Sequence, residues 1–219
     1  MLLLLSDEGK IAGATTLHYA LGGAVLAELA LQGAVVLQEA QSRWRSAKVI
    51  TQNVPMPTDP LLAQAFTTLS QKQDAVQTAL GRIGPKLREQ VLERLVERGY
   101  VTAQTRRRLL IKTTKYPEVD GAHEARLRAT LLPVLTGAAV PDERSAALIA
   151  LVKASGQLQA VFPFPKGERK AVNQRAKEIA EGNWGAKGVS DAIQQLQAAV
   201  TASAAVTAST AAAVGAGSS

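Results

Sequence analysis

The sequence has no cysteine among its 219 residues. Without thiols, the chain cannot form a disulfide scaffold, a thiolate zinc site, an iron–sulfur cluster or a cysteine nucleophile. Histidine is almost as scarce: only His18 and His123 occur, too few for a metal site built from several histidines. Each lies at the edge of a predicted helix, and we interpret both as structural or surface residues. We therefore predict neither a metal ion nor a cofactor.

Aromatic residues make up only 4% of the chain, whereas hydrophobic residues make up 47%. The shortage of aromatic rings leaves little surface on which nucleic-acid bases could stack. Much of the apolar fraction is alanine and leucine, which favour closely packed helices over sheets. A chain of this length normally forms one domain. We predict a mainly α fold, a single globular helical domain with one or two β-hairpins, one of them projecting.

Long hydrophobic runs are also missing. The four leucines Leu2–Leu5 are too few for the core of a signal peptide, and no basic segment precedes them. The longest nearly apolar stretch, Leu21–Leu37, contains Glu28 and is interrupted by Gln32 and Gly33, so it is a poor membrane-spanning helix. We therefore expect any contact with a membrane to be peripheral.

The formal net charge of +7 is concentrated in the second half of the chain. Residues 1–100 contain ten basic and nine acidic side chains, whereas residues 101–183 contain fourteen basic and eight acidic ones. The second segment is therefore a candidate face for an acidic lipid, a nucleic acid or an acidic protein. The alternative is an ordinary solvated basic surface.

The spacing of apolar residues predicts a succession of helices. Asp142 is expected to cap one of them, Pro85 to stand at the start of another, and Pro133 to end or kink a third. Residues 1–205 are predicted to form the domain, and 206–219, rich in Ala, Ser and Gly, a frayed tail. The predicted helices cover approximately residues 17–33, 61–69, 74–83, 85–98, 122–132, 142–152, 166–181 and 189–200.

Two segments have the pattern of β-structure. Residues 34–51 predict a hairpin with a loop, and residues 106–114 predict a strand that enters a turn near Tyr116 and Pro117. The second segment begins with three arginines and continues with three apolar residues, namely Arg106, Arg107, Arg108, Leu109, Leu110 and Ile111. A helix followed by a basic hairpin is typical of winged-helix nucleic-acid-binding proteins. A basic and apolar hairpin could equally contact an anionic membrane.

No catalytic motif occurs in the chain. The sequence lacks phosphate-binding loops, dinucleotide-binding glycine motifs, zinc-protease motifs and nucleophile elbows. The adjacent carboxylates Asp7–Glu8 and Asp142–Glu143 are suited to helix starts rather than to acid–base chemistry, because neighbouring residues on a helix point in different directions. We predict that the protein is not an enzyme.

Four segments together resemble the Golgi phosphoprotein 3 family, whose Golgi members are lipid-binding adaptors. They occur in the family's order, and the resemblance extends over roughly residues 1–200. The segments are LLLLSDEGK at 2–10, LGGAVLAELALQG at 21–33, LREQVLERLVERGYV at 87–101 and DERSAALIALVKASG at 142–156. The resemblance implies a mostly helical domain that binds phosphatidylinositol 4-phosphate in a basic pocket on a membrane-facing surface.

The resemblance also suggests which residues form that pocket. The family uses a tryptophan and three basic residues, and the matching positions here are Gly13, Gly22, Pro85 and Arg88. Of these, Arg88 alone retains the family's residue type, and Lys86 is the nearest substitute for a second cation. A single guanidinium cannot hold a doubly charged phosphate as a cluster does. We therefore expect lipid binding to follow total anionic charge more than head-group identity.

In this resemblance, the projecting hairpin corresponds to 106–119 and serves self-association and membrane contact. Leu109 or Ile111 would lie on a surface that meets lipid or a second copy. The alternative is that both pack on the domain and leave Leu110 outside.

The main hypothesis is that the protein is a bacterial relative of the family. It would be a cytoplasmic protein that associates peripherally with the membrane, as the eukaryotic members do on the cytosolic face of the Golgi. The alternative hypothesis is a winged-helix-like nucleic-acid-binding protein.

Overall fold

The computed structural model of the protein describes residues 1–6, 8–12, 17–38, 47–108, 111–119 and 121–182, and for 106–108 and 111–112 it describes the backbone. Helices dominate this part of the chain, and two antiparallel two-stranded sheets accompany them, which confirms the predicted fold class. A 3₁₀ turn at Leu2–Leu4 precedes the first helix. The elements are α1 Leu17–Leu31, β1 Val35–Gln38, β2 Lys48–Thr51, α2 Pro60–Ser70, α3 Val76–Ile83, α4 Leu87–Glu97, β3 Gln104–Arg108, β4 Ile111–Lys115, α5 Ala122–Thr136, α6 Glu143–Ala154, α7 Leu158–Val161 and α8 Arg169–Ala180.

Helix α1 lies at the centre of the fold and packs against α2, α3, α4 and α6. Leu26 and Leu29 have no exposed surface, as expected for a helix that is covered on several sides. The single charged residue of α1, Glu28, lies at its edge and accepts hydrogen bonds from Gln32 Nε2 at 2.9 Å and Arg144 Nη2 at 2.7 Å. The helix therefore carries a carboxylate without burying an unpaired charge.

Helices α2 and α4 are joined by Asp59. Its carboxylate accepts hydrogen bonds from the backbone N–H groups of Leu61 at 2.9 Å and Leu62 at 3.2 Å, and so caps α2. The same carboxylate receives two hydrogen bonds from the guanidinium of Arg94 in α4, at 2.8 and 2.9 Å. The Asp59 side chain thus caps α2 and holds α4 against it.

Helices α5, α6 and α8 form the second half of the core. Asp142 caps α6 in a reciprocal capping box with Ser145, which confirms the predicted cap. The prediction that α5 ends at Pro133 is wrong, because the helix continues to Thr136, and the alternative prediction of a kink stays a prediction. Val134 and Leu135 are buried beyond the proline, and their burial compensates for the hydrogen bond that proline cannot donate.

The first hairpin, β1–β2, lies where the sequence predicted it, with Val36 opposite Ile50. The second predicted strand is wrong in detail: residues 106–114 belong to two strands, and the chain reverses between Arg108 and Ile111, which face each other in the β3–β4 register. The predicted turn near Tyr116 is also wrong. The backbone N–H of Tyr116 donates to Gly9 O at 3.1 Å, so this segment pairs with the body of the domain.

Candidate functional site

Helix α4 begins with an unusual backbone conformation. Its N-cap residue is Lys86, whose φ of 69° and ψ of −10° lie in the left-handed region. Among the described residues, it is the only non-glycine residue with a positive φ. For a residue with a Cβ atom this conformation costs roughly 1–2 kcal/mol. Pro85 therefore lies one residue before the cap, not at the first position of the helix as predicted.

The first turn of α4 is electropositive. Lys86 and Arg88 are both exposed, and neither forms an ion pair with any other residue of the described part of the chain. No side chain caps the helix, and Glu89 is the acidic residue of its first turn. Cations at a helix N-terminus are unfavourable unless an anion accompanies them, because the helix dipole already places positive charge there. The arrangement is therefore suited to holding an anion such as a phosphate.

The start of α1 lies directly behind this turn. A Cβ atom on Gly84 would stand 3.2 Å from the backbone oxygen of His18 and 2.8 Å from that of Leu80, so only glycine fits the contact without a shift. Burial lowers the pKa of His18 below its usual value of 6.5, which keeps the imidazole neutral at neutral pH. His18 therefore supports the turn without adding a third positive charge to it.

The position that matches the family's first pocket arginine is closed by packing. A Cβ atom on Gly22 would lie 3.1 Å from Leu80 Cδ2 and 3.7 Å from Ile83 Cγ1. Gly22 thus allows α1 and α3 to approach closely, and a side chain at this position would require Leu80 to shift. Gly13, which matches the family's tryptophan, lies outside the described residues. Of the predicted basic residues, Lys86 and Arg88 therefore both lie exposed at the first turn of α4.

The basic hairpin follows α4 by a few residues. Arg106, Arg107 and Arg108 lie on β3, and the register places Lys112 opposite Arg107 and Ile111 opposite Arg108. Leu109 and Leu110 lie outside the described residues. The extensive contacts of β3 are with β4 and not with a helix, which agrees with a hairpin that extends from the helical body.

Two cavities were not predicted from the sequence. One, of about 420 Å³, lies between α1, α5 and α6 and is mostly apolar. The other, of about 570 Å³, is lined in part by the segment Leu3–Ser6 and by Arg128 of α5. Arg128 is already engaged there: its Nε donates to Glu124 Oε1 at 2.7 Å, and its Nη1 donates to the backbone oxygen of Val161. Both cavities form where distant segments meet, so no local sequence pattern indicates them.

Within the described residues, no helix is long and apolar enough to span a membrane, and no group of His, Asp and Glu side chains is arranged to hold a metal ion. The family model for Golgi phosphoprotein 3 (GPP34) matches residues 1–196 of the chain. The chain belongs to the Golgi phosphoprotein 3 family. Among curated proteins, none matches it.

Membership of the Golgi phosphoprotein 3 family confirms the resemblance that the four segments indicated. The matched range extends 14 residues beyond Gly182, the last residue that the structure describes. Part of the chain after α8 therefore belongs to the family domain. The predicted boundary at residue 205 stays a prediction.

Proposed function

We propose that this member of the Golgi phosphoprotein 3 family is a non-enzymatic peripheral membrane protein that binds anionic lipid through the first turn of α4. The observation that carries the proposal is that Lys86 and Arg88, which form no ion pair with another described residue, lie at a helix N-terminus that no side chain caps. Strained backbone conformations persist where the surrounding structure enforces them, and they cluster at binding sites. The left-handed conformation of Lys86 supports a binding role for this turn.

The chemistry of the site suits a phosphate group on a lipid head group. Phosphatidylinositol 4-phosphate, the lipid implied by the family, carries a phosphate monoester that could accept hydrogen bonds from both side chains and from the start of the helix. Gly22 offers no third cation, because it is packed against Leu80. Two cations provide attraction but little discrimination, so affinity should follow the anionic charge of the membrane.

The β3–β4 hairpin provides the second contact of the proposal. Its three arginines would approach an anionic surface, where each basic side chain contributes about 1 kcal/mol. Leu109, Leu110 and Ile111 are three consecutive apolar residues that follow Arg108 in the sequence, and Ile111 pairs with Arg108 in the β3–β4 register. Their insertion into lipid, or their burial against a second copy of the chain, would add apolar contact to the electrostatic attraction.

Flotation with liposomes tests the proposal. The wild type should float with vesicles that contain phosphatidylglycerol or phosphatidylserine and should remain unbound with neutral vesicles. The double variant Lys86→Ala/Arg88→Ala should lose most of this binding. Lys166→Ala/Lys170→Ala is the matched control, because it removes two exposed cations at and just before the start of α8 and leaves the α4 turn intact. Equal losses in the two double variants would show that the α4 turn has no special role.

Two further arms of the experiment examine which ligand the protein binds. Vesicles with phosphatidylinositol 4-phosphate are compared with vesicles of equal charge that contain phosphatidylglycerol, and similar binding is expected. Strong selectivity for the phosphoinositide would contradict the two-cation site. A gel-shift assay with duplex DNA examines the nucleic-acid alternative. Tight, salt-resistant DNA binding without liposome binding would overturn the proposal.

A further inference from the structure

An apolar groove of about 420 Å³ runs between α1, α5 and α6. Leu31, Leu127 and Leu148 line it from the three helices and are each half-buried, so their remaining apolar surface faces the open groove. The ion pair between Glu28 and Arg144 lies at its rim. The groove leaves apolar surface exposed to water, which is unfavourable unless another segment or molecule covers it.

Helix α8 packs against α6 and α5, two of the three helices that line this groove. Helix α8 starts beside Phe164, whose backbone oxygen accepts a hydrogen bond from Arg169. Further along α8, Arg175 Nε donates to the backbone oxygen of Val134 near the end of α5, at 3.5 Å. Helix α8 therefore runs toward the end of the bundle where α5 stops and α6 starts. Asp142 and Arg144, at the start of α6, line the groove at that same end.

The chain after Gly182 is long enough and apolar enough to fill the groove. It comprises residues 183–219, and Lys187 and Asp191 are its only charged residues. Val189, Ile193, Leu196 and Val200 recur at helical spacing, so one face of a helix would be apolar. Seven extended residues span about 23 Å, which allows the chain to pass from the end of α8 over the start of α6.

We propose that residues 189–200 dock as a helix in the groove between α1, α5 and α6, with Ile193 and Leu196 against its apolar walls. The family match supports this placement, because it continues to residue 196 and so includes most of the segment in the domain. The near absence of charge in the segment also suits it, since the helical spacing puts its one charged residue, Asp191, away from the apolar face. The groove is then an intramolecular docking site for the C-terminal segment.

Cross-linking of the full chain tests this placement directly, because the protein has no native cysteine to interfere. One cysteine replaces Thr130, an exposed residue that lines the groove, and a second replaces Gln197, one helical turn after Ile193. A short bismaleimide should join the two within one chain, with a yield at least fivefold above that of the control pair Gln77→Cys/Gln197→Cys. Gln77 is exposed on α3, which does not line the groove.

Each outcome of the cross-linking decides the proposal. An intrachain product for the Thr130 pair alone supports it. A product that joins two chains would assign the groove to a second copy and overturn the proposal, and yields equal to the control would overturn it as well.

Hydrogen exchange provides a second measurement that does not depend on cysteine chemistry. Ile193→Asp/Leu196→Asp should speed the exchange of backbone amides around Leu148 in α6 by at least tenfold. The matched variant Gln194→Asp/Gln195→Asp adds the same charge at polar positions and should leave exchange unchanged. Unchanged protection in both variants would contradict docking of this segment.

Discussion

At the residue scale, Lys86 combines two effects that can be separated by mutation. Its left-handed backbone is costly for a side chain with a Cβ atom, whereas its ammonium group is placed to attract an anion. The sequence before α4 contains Gly84 and Pro85, but glycine does not occupy the position that needs a positive φ. A residue that opposes the local backbone preference in this way is a candidate for selection by function rather than by stability.

Lys86→Gly should therefore make the protein more stable and less able to bind lipid. Glycine relieves the left-handed strain, and part of that gain is offset by the larger entropy of glycine in the unfolded chain. The free energy of unfolding should rise by up to about 1 kcal/mol. Urea denaturation and liposome flotation measure the two effects separately. A loss of stability, or unchanged binding to anionic vesicles, would refute this division of roles.

Asp59 provides a pH-dependent contribution to stability. Hydrogen bonds from Arg94 and from the start of α2 favour its carboxylate and lower its pKa below the usual value of 3.8. Its stabilising effect is therefore present above about pH 4 and is lost as the pH falls through the lowered pKa. Asp59→Ala should cost about 1 kcal/mol near pH 7, as for a lost helix cap, and less near pH 3. Urea denaturation of both proteins at the two pH values measures the difference, and an equal cost at both would contradict the assignment.

At the scale of elements, the β3–β4 hairpin should be separable from the fold. Its strands pair chiefly with each other, so the helical core does not depend on its far end. Replacement of residues 107–112 by Asn-Gly, which favours a tight turn, should leave the thermal transition within a few degrees of the wild type. Vesicle binding or self-association should fall strongly. Circular dichroism, flotation and sedimentation measure these properties, and a variant that unfolds would identify the hairpin as part of the core.

Local pattern predicted most helices because burial and capping act within a few turns of chain. The spacing of Leu17, Leu21 and Leu29 indicated α1, and Asp142 indicated the start of α6. The hairpin was harder to predict, because the sequence between the paired residues Arg108 and Ile111 consists of two leucines, and leucine is not a typical turn residue. The end of α5 was predicted wrongly for another reason. The packing of Val134 and Leu135 in the core outweighed the tendency of Pro133 to end a helix.

The candidate site was also predictable only in part. The resemblance indicated Lys86 and Arg88, but no pattern in the sequence revealed the positive φ of Lys86. That conformation is imposed where α3 ends against His18 and α4 has to start in a new direction. Cavities and grooves were likewise beyond prediction, because their walls come from helices that are far apart in the sequence.

At the scale of the whole molecule, the excess of basic charge should make the proposed membrane binding sensitive to salt. Between 0.01 M and 1 M salt, the screening length falls from about 30 Å to about 3 Å, so attraction between separated charges disappears. Flotation with phosphatidylglycerol vesicles should therefore be nearly complete at low salt and largely lost at about 0.5 M. Binding that persists unchanged at high salt would show that apolar insertion, and not charge, dominates.

The contact of Gly22 with Leu80 limits the order in which this lineage could acquire a third pocket cation. Any side chain at position 22 would require Leu80, which is fully buried, to shift. Leu80→Ala would make room, but alone it leaves a cavity that typically costs about 2–5 kcal/mol. Each substitution alone is therefore expected to lower the free energy of unfolding. The residue at position 22 is thus coupled to the size of the residue at position 80, and the two positions are expected to change together.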